Sequence, residues 1–99
     1  MIIVAGTLRV PPDRMAALRP AAEAVISATR AEPGCQVYSF AEDLLDPGLI
    51  RIYEIWNNRE DLAAHGRAPH MSPWRQAVSE AGAYDRDIRT FEASGGELI

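Results

Sequence analysis

The first ten residues constrain the fold most. Ile2 to Val10 reads as a β-strand, and Pro11-Pro12 ends it, because proline has no N–H to give to a ladder. One face carries Ile2, Val4, Gly6, Leu8 and Val10; the other carries Ile3, Ala5, Thr7 and Arg9. Both faces are apolar over the first half, so the strand belongs inside a sheet that is covered on both sides. A chain of 99 residues is one domain with a modest core, which makes association with another copy a natural source of extra stability.

The remaining elements follow from periodicity and punctuation. Asp13 to Ala31 reads as a long helix with a negative charge in its first turn and a stripe of Met15, Leu18, Ala22, Val25, Ile26 and Thr29. Pro20 interrupts one backbone bond and predicts a kink; the stripe continues in phase beyond it. Glu32-Pro33-Gly34 ends the helix. Cys35 to Asp43 is a second strand, with Gln36, Tyr38, Phe40 and Glu42 assigned to one face and Cys35, Val37, Ser39 and Ala41 to the other. The turn signal Asp46-Pro47-Gly48 joins it to a third strand, Leu49 to Asn57, as a hairpin. Asn58 caps a short helix running through His65 to Gly66, with Asp61 three residues on. A second short helix reaches about Ala81 and stops at Gly82. It starts at either Pro69 or Ser72-Pro73, the latter being the stronger capping pair. Tyr84 to Ala93 is the last strand. Residues 1–94 form one domain and 95–99 a short tail.

This order gives a four-stranded antiparallel sheet with both helical segments on one face, an α+β ferredoxin-like arrangement with strands one and three central. Helices cover only one face, yet strands one and three are apolar on both. A second copy therefore covers the other face, and a homodimer packed sheet to sheet is predicted.

Charge and motifs narrow the function. A net charge of −4, with ten basic residues scattered among fourteen acids, argues against a nucleic-acid partner. The apolar start has no basic region or cleavage site, and no segment approaches membrane-spanning length, so no membrane partner and a cytoplasmic location are expected. One cysteine excludes an internal disulfide and a cysteine-based zinc cluster; Cys35 reads as a small buried hydrophobe. There is no phosphate-cradling glycine loop, nucleophile elbow or dinucleotide fingerprint, so no cofactor held by such a motif is expected.

Chemistry concentrates in Glu54 to Trp74, EIWNNREDLAAHGRAPHMSPW. His65 and His70 are the side chains whose ordinary pKa suits proton transfer near neutrality, and both are expected to face a cavity between helices and sheet. Taken singly, the plainer reading of each prevails: a helix-terminal histidine meeting a carbonyl, and a second one partly exposed. Their spacing of five, with Pro69 between, is not the four-residue helical spacing that pairs two imidazoles on a metal, and no metal is expected. Glu54 shares a strand face with Ile50, Ile52 and Trp56, so it must be paired or protonated. It is expected to orient a histidine or to balance Arg51 or Arg75. Trp56, Trp74, Tyr38 and Tyr53 are candidates for an aromatic pocket, or simply for core.

EPGC at 32–35 followed by Tyr38, DPG at 46–48, EIW at 54–56, Leu62, His65 and His70 resemble the antibiotic biosynthesis monooxygenase domain family, in particular its small quinol-monooxygenase-like members. The resemblance covers nearly the whole chain. It implies the ferredoxin-like fold assembled as a dimeric α+β barrel. It also implies oxygenation of a small phenolic, quinol or polyketide-like aromatic by O2, with no metal and no bound flavin. His65 or His70 would be the base, Trp56 and Tyr38 would position the ring, and Glu54 and Trp74 would complete the substrate site. Haem-degrading relatives of this fold use an asparagine, a tryptophan and a histidine where this chain has Gly6 or Thr7, His65 and Arg75, so haem is not expected. Two alternatives stay open: an isomerase or lyase acting on a small carbonyl compound with the same base, and a non-catalytic small-molecule-binding dimer.

Overall fold

Strand β1 (Ile2–Arg9) leads through a 3-10 turn (Pro12–Arg14) into helix α1 (Met15–Arg30) in the computed structural model, which describes residues 1–99. Strands β2 (Cys35–Glu42) and β3 (Leu49–Trp56), helices α2 (Arg59–Gly66) and α3 (Met71–Glu80) and strand β4 (Tyr84–Glu92) complete the order. The sheet runs β2-β3-β1-β4 with every neighbouring pair antiparallel. The two strands with two apolar faces are therefore the central ones, as predicted.

The inner face carries Ile2, Val4 and Leu8 from β1 and Ile50, Ile52, Glu54 and Trp56 from β3, all buried. Leu18, Val25 and Thr29 of α1 and Met71 and Trp74 of α3 close over them. Each fully buried aliphatic side chain contributes roughly 1.5–3 kcal/mol, which makes this face the main support of the fold. On the outer face the register aligns Val37, Ile55, Ile3 and Phe91 in one row across all four strands, with Tyr53 beside them. Phe91 is 51% and Tyr53 44% exposed. Tyr53, a candidate for the aromatic pocket, thus points away from the helices.

Three local features differ from expectation. Asp13 lies in the 3-10 turn rather than in the first turn of α1, because Pro11 and Pro12 enforce a tighter start in which Arg14 N–H meets the Pro11 carbonyl at 2.9 Å. Helix α1, by contrast, continues without a break through Pro20, as its in-phase stripe predicts. A bulge between Cys35 and Val37 shifts the pairing so that Cys35, opposite Trp56, packs inward, while Gln36 is exposed and bonds Asn57. Helix α3 starts at Met71, ahead of Ser72-Pro73; Pro73 is its third residue, where an N–H has no intrahelical acceptor to lose.

At Gly6 the backbone of β4 comes so close that a Cβ would run into Asp87 and Ile88. Only glycine fits there. The inner face consequently has no side chain at that point, and the four surrounding residues Val4, Leu8, Ile52 and Ile88 line a cavity.

Candidate active site

Three separate segments deliver the polar groups beside this cavity. Helix α2 is fixed at its start by Asn58, whose side-chain oxygen accepts the Asp61 N–H at 2.8 Å, with Glu60 and Asp61 favouring the positive end of the helix. Its last turn buries His65. Tight turns then follow, with Arg67 N–H to the Ala64 carbonyl at 3.1 Å and Ala68 N–H to the His65 carbonyl at 3.0 Å. They set His70 at the head of α3. The third segment is the turn after α1. Glu32 N–H meets the Thr29 carbonyl at 2.9 Å, and Gly34 adopts φ +80, with Asp61 occupying the space a Cβ would need.

These segments meet at one atom. Glu32 Oε2 lies 2.7 Å from His65 Nδ1 and 2.9 Å from His70 Nε2, and His70 Nε2 is also 3.3 Å from the Thr29 hydroxyl. The His65 and Glu32 side chains are only 6% and 14% exposed, so solvent screens their contact little.

The cavity itself has a volume of about 320 Å³ and lies between the sheet and the α2–α3 segment. Its walls include Tyr38, Phe40, Glu54, His65, Trp74 and Ile88, with the exposed Arg75 and Arg86 at its mouth. His65 Nε2 makes no hydrogen bond within the protein, yet no buried side-chain nitrogen or oxygen lacks a partner, so this nitrogen is open to the cavity. His70 is absent from the cavity wall. Only one of the two histidines faces the space where both were expected, because His70 turns back onto Glu32 and Thr29.

Trp56 also stands apart from the wall. It is 0% exposed and packs behind His65 with ring centroids 4.8 Å apart, while its indole N–H donates to Glu54 Oε1 at 2.9 Å. That bond answers how Glu54 is accommodated. Arg51 points to the outer face and pairs with Asp43, and Arg75 bonds the Gly66 carbonyl, so neither balances the carboxylate. Burial raises the Glu54 pKa above its ordinary value; the Trp56 N–H, then His65 and Arg86, pull it back. Tyr38 lies edge-on to His65 at 5.2 Å, and burial, followed by the Glu54 charge, raises its pKa, keeping the phenol protonated.

A second cleft, of about 490 Å³, opens between α1 and the β2–β3 hairpin and shares Phe40 and Trp74 with the first. Its polar residues are Arg19, Glu23 and Glu42, with no imidazole. The smaller cavity is the one that combines a free ring nitrogen with a buried acid.

Glu32, His65 and His70 also form the one set of side chains with metal-ligand character, their ligand atoms lying within 4.8 Å of one another. A tetrahedral ion at about 2.0–2.1 Å would hold its ligands only about 3.3 Å apart. Here the spread reaches as much as 4.8 Å, and the two contacts to Oε2 have hydrogen-bond lengths. The cluster as folded is hydrogen-bonded.

Glu32 and Arg86 were not singled out in the sequence. Glu32 read as part of a helix stop and of the EPGC motif, without a role at the site, and the signal that could have found it was an acid held by a Pro-Gly turn in a chain with two histidines to orient. Arg86 sat in the mixed-charge run DRDIR, which looks like solvated surface until β4 is seen at the cavity mouth.

The fold and site define a small α+β protein with a ferredoxin-like sheet and a histidine-bearing cavity beneath its helices. The family profile described as "Antibiotic biosynthesis monooxygenase" matches residues 1–77, and the chain belongs to that family. It is 30% identical to sll1783 of Synechocystis sp. over 98 residues, covering 99% of this chain and 67% of the relative. It is 38% identical over 69 residues to the Mycobacterium tuberculosis protein named "Putative monooxygenase Rv0793", 70% of this chain and 67% of that protein. A solved Deinococcus radiodurans structure, described as a "putative antibiotic biosynthesis monooxygenase", superposes with a TM-score of 0.91 at 32% identity, covering 100% of this chain and 98% of that one.

Proposed function

We propose that this protein is a cofactor-independent monooxygenase that oxidises a small phenolic, quinol or polyketide-like aromatic with O2. The observation that carries the reading is the free Nε2 of His65 on the wall of a largely apolar cavity of about 320 Å³, room for a fused-ring substrate. His65 is the base. Tyr38, Phe40 and Trp74 hold the ring, and Arg75 and Arg86 attract an oxyanion at the mouth. Trp56 acts from behind, through Glu54 and His65.

In the proposed reaction the acidic substrate proton passes to His65 Nε2. The resulting anion gives one electron to O2, leaving a substrate radical and superoxide. These combine at carbon as a peroxide anion, which takes back a proton and loses water. A substrate CH2 and O2 thus become C=O and H2O, with the electrons drawn from the substrate alone. Glu32 Oε2, 2.7 Å from Nδ1, holds the ring on its far side while Nε2 takes the proton.

The family assignment and the monooxygenase names of relatives support the reaction class. The apolar outer row of Val37, Ile55, Ile3 and Phe91 supports a homodimer packed sheet to sheet. Turnover of anthrone- and quinol-type compounds under isotopically labelled O2 tests the reading. One labelled oxygen in the product is expected. Equal turnover without O2 would instead identify an isomerase or lyase, and ligand-induced thermal stabilisation without product would identify a binder.

A further inference from the structure

We propose that Glu32 is a positioning residue that makes His65 a base, and that His70 is the second donor holding it in place. The inference rests on His65 being the base. It begins from hydrogen-bond inventory: an ionised carboxylate only accepts, so each ring nitrogen beside Glu32 Oε2 must carry its hydrogen there. For a neutral imidazole this fixes the tautomer. The proton on His65 sits on Nδ1, and the lone pair on Nε2 faces the cavity, the arrangement that proton abstraction requires. The opposite tautomer would put a hydrogen toward the substrate and two acceptors against each other at 2.7 Å.

His70 restricts the carboxylate from its other side. With His65 and His70 on the same oxygen, Glu32 cannot rotate away without breaking both bonds. The turn beneath it is held by Pro33, by the positive φ of Gly34 and by the Glu32–Thr29 backbone bond. The turn after α1 and the α2–α3 connection, 33 to 38 residues apart in sequence, therefore converge to orient one ring. Two histidines that looked equivalent as bases take different roles: one faces substrate and the other faces the residue that aims it.

The experiment is imidazole ¹⁵N NMR on the full chain at a pH where both histidines are neutral, together with kinetics of Glu32→Gln and Glu32→Asp. The wild type is expected to show hydrogen on His65 Nδ1. Glu32→Gln can turn its NH2 toward Nδ1 and so shift hydrogen to Nε2. Its kcat is expected to fall about 10²–10⁴-fold with KM changed less than about threefold, as for loss of a tautomer-fixing carboxylate. Glu32→Asp, too short to hold both rings, is expected to retain part of the activity. Hydrogen on Nε2 in the wild type, or a folded Glu32→Gln protein with unchanged tautomer or kcat, overturns the proposal. The tautomer is read without substrate, so inert protein with hydrogen on Nδ1 sinks the oxygenase reading and upholds the positioning of His65.

Discussion

Replacing Trp56 by phenylalanine separates packing from charge at the base of the cavity. The change removes the indole N–H that meets Glu54 Oε1 at 2.9 Å, while keeping an aromatic ring in a fully buried place. A hydrogen bond to a charged group contributes about 1.5–3 kcal/mol. The lost ring leaves roughly 40 Å³ empty, worth about 1 kcal/mol at about 24 cal/mol per Å³. The expected loss at neutral pH is therefore about 2.5–4 kcal/mol, and its pH dependence follows from linkage. Burial already raises the Glu54 pKa above the ordinary 4.5 in the folded state, and the Trp56 N–H lowers it. Stability from this group is fully present below the unfolded value and is lost as pH rises through the folded value. Without the indole donor the folded value rises further, so more is lost at high pH. Urea unfolding at fixed protein concentration should show a deficit near 1 kcal/mol at about pH 4, growing to the full value at about pH 7.5. Adding Glu54→Gln to both proteins should remove most of that growth. An equal deficit at both pH values would refute the assignment of the Trp56–Glu54 bond.

Gly6→Ala should cost about 1–3 kcal/mol in the same assay, because its Cβ meets the β4 backbone and the strands must part; unchanged stability would show that they can yield. If the outer apolar row is the proposed sheet-to-sheet interface, the wild type should sediment as a dimer and Ile55→Lys, placing a charge in that row, as a folded monomer; a monomeric wild type, or a dimer that persists in Ile55→Lys, would refute that interface. Arg86→Gln should raise KM for an acidic substrate about 3–10-fold, less at high salt, since Arg86 has no ion-pair partner and faces the mouth; an unchanged KM would remove it from binding.

The fold was legible because its signals are local and repeated. Alternation in β1 and β3, the α1 stripe, and the EPG and DPG turns each fix an element, and two-sided apolarity fixes the central strands. What escaped was set by geometry between elements. The bulge at Gln36 turns Cys35 inward against the simple alternation, and nothing in CQVY announces it. Pro73 looked like a helix start because proline favours the first turn, but α3 gains another two residues ahead of it from the turn carrying His70. The site followed the same division. His65, Glu54, Tyr38 and Trp74 were identifiable from residue type and strand face, and they do line one cavity. His70 and Trp56 were placed on that wall, and both lie behind it. Glu32 lies 33 residues from His65 in sequence, so only tertiary folding could disclose the contact.

The most direct measurement of the central claim is O2 consumption by chelator-treated protein supplied with anthrone- or quinol-type substrates, comparing the wild type with His65→Ala and His70→Ala. Substrate-dependent uptake is expected in the wild type. It should be lost by about 10²–10⁴-fold in His65→Ala, where the base itself is gone, and lowered less in His70→Ala, where only its support is removed. Full uptake by His65→Ala would contradict the account.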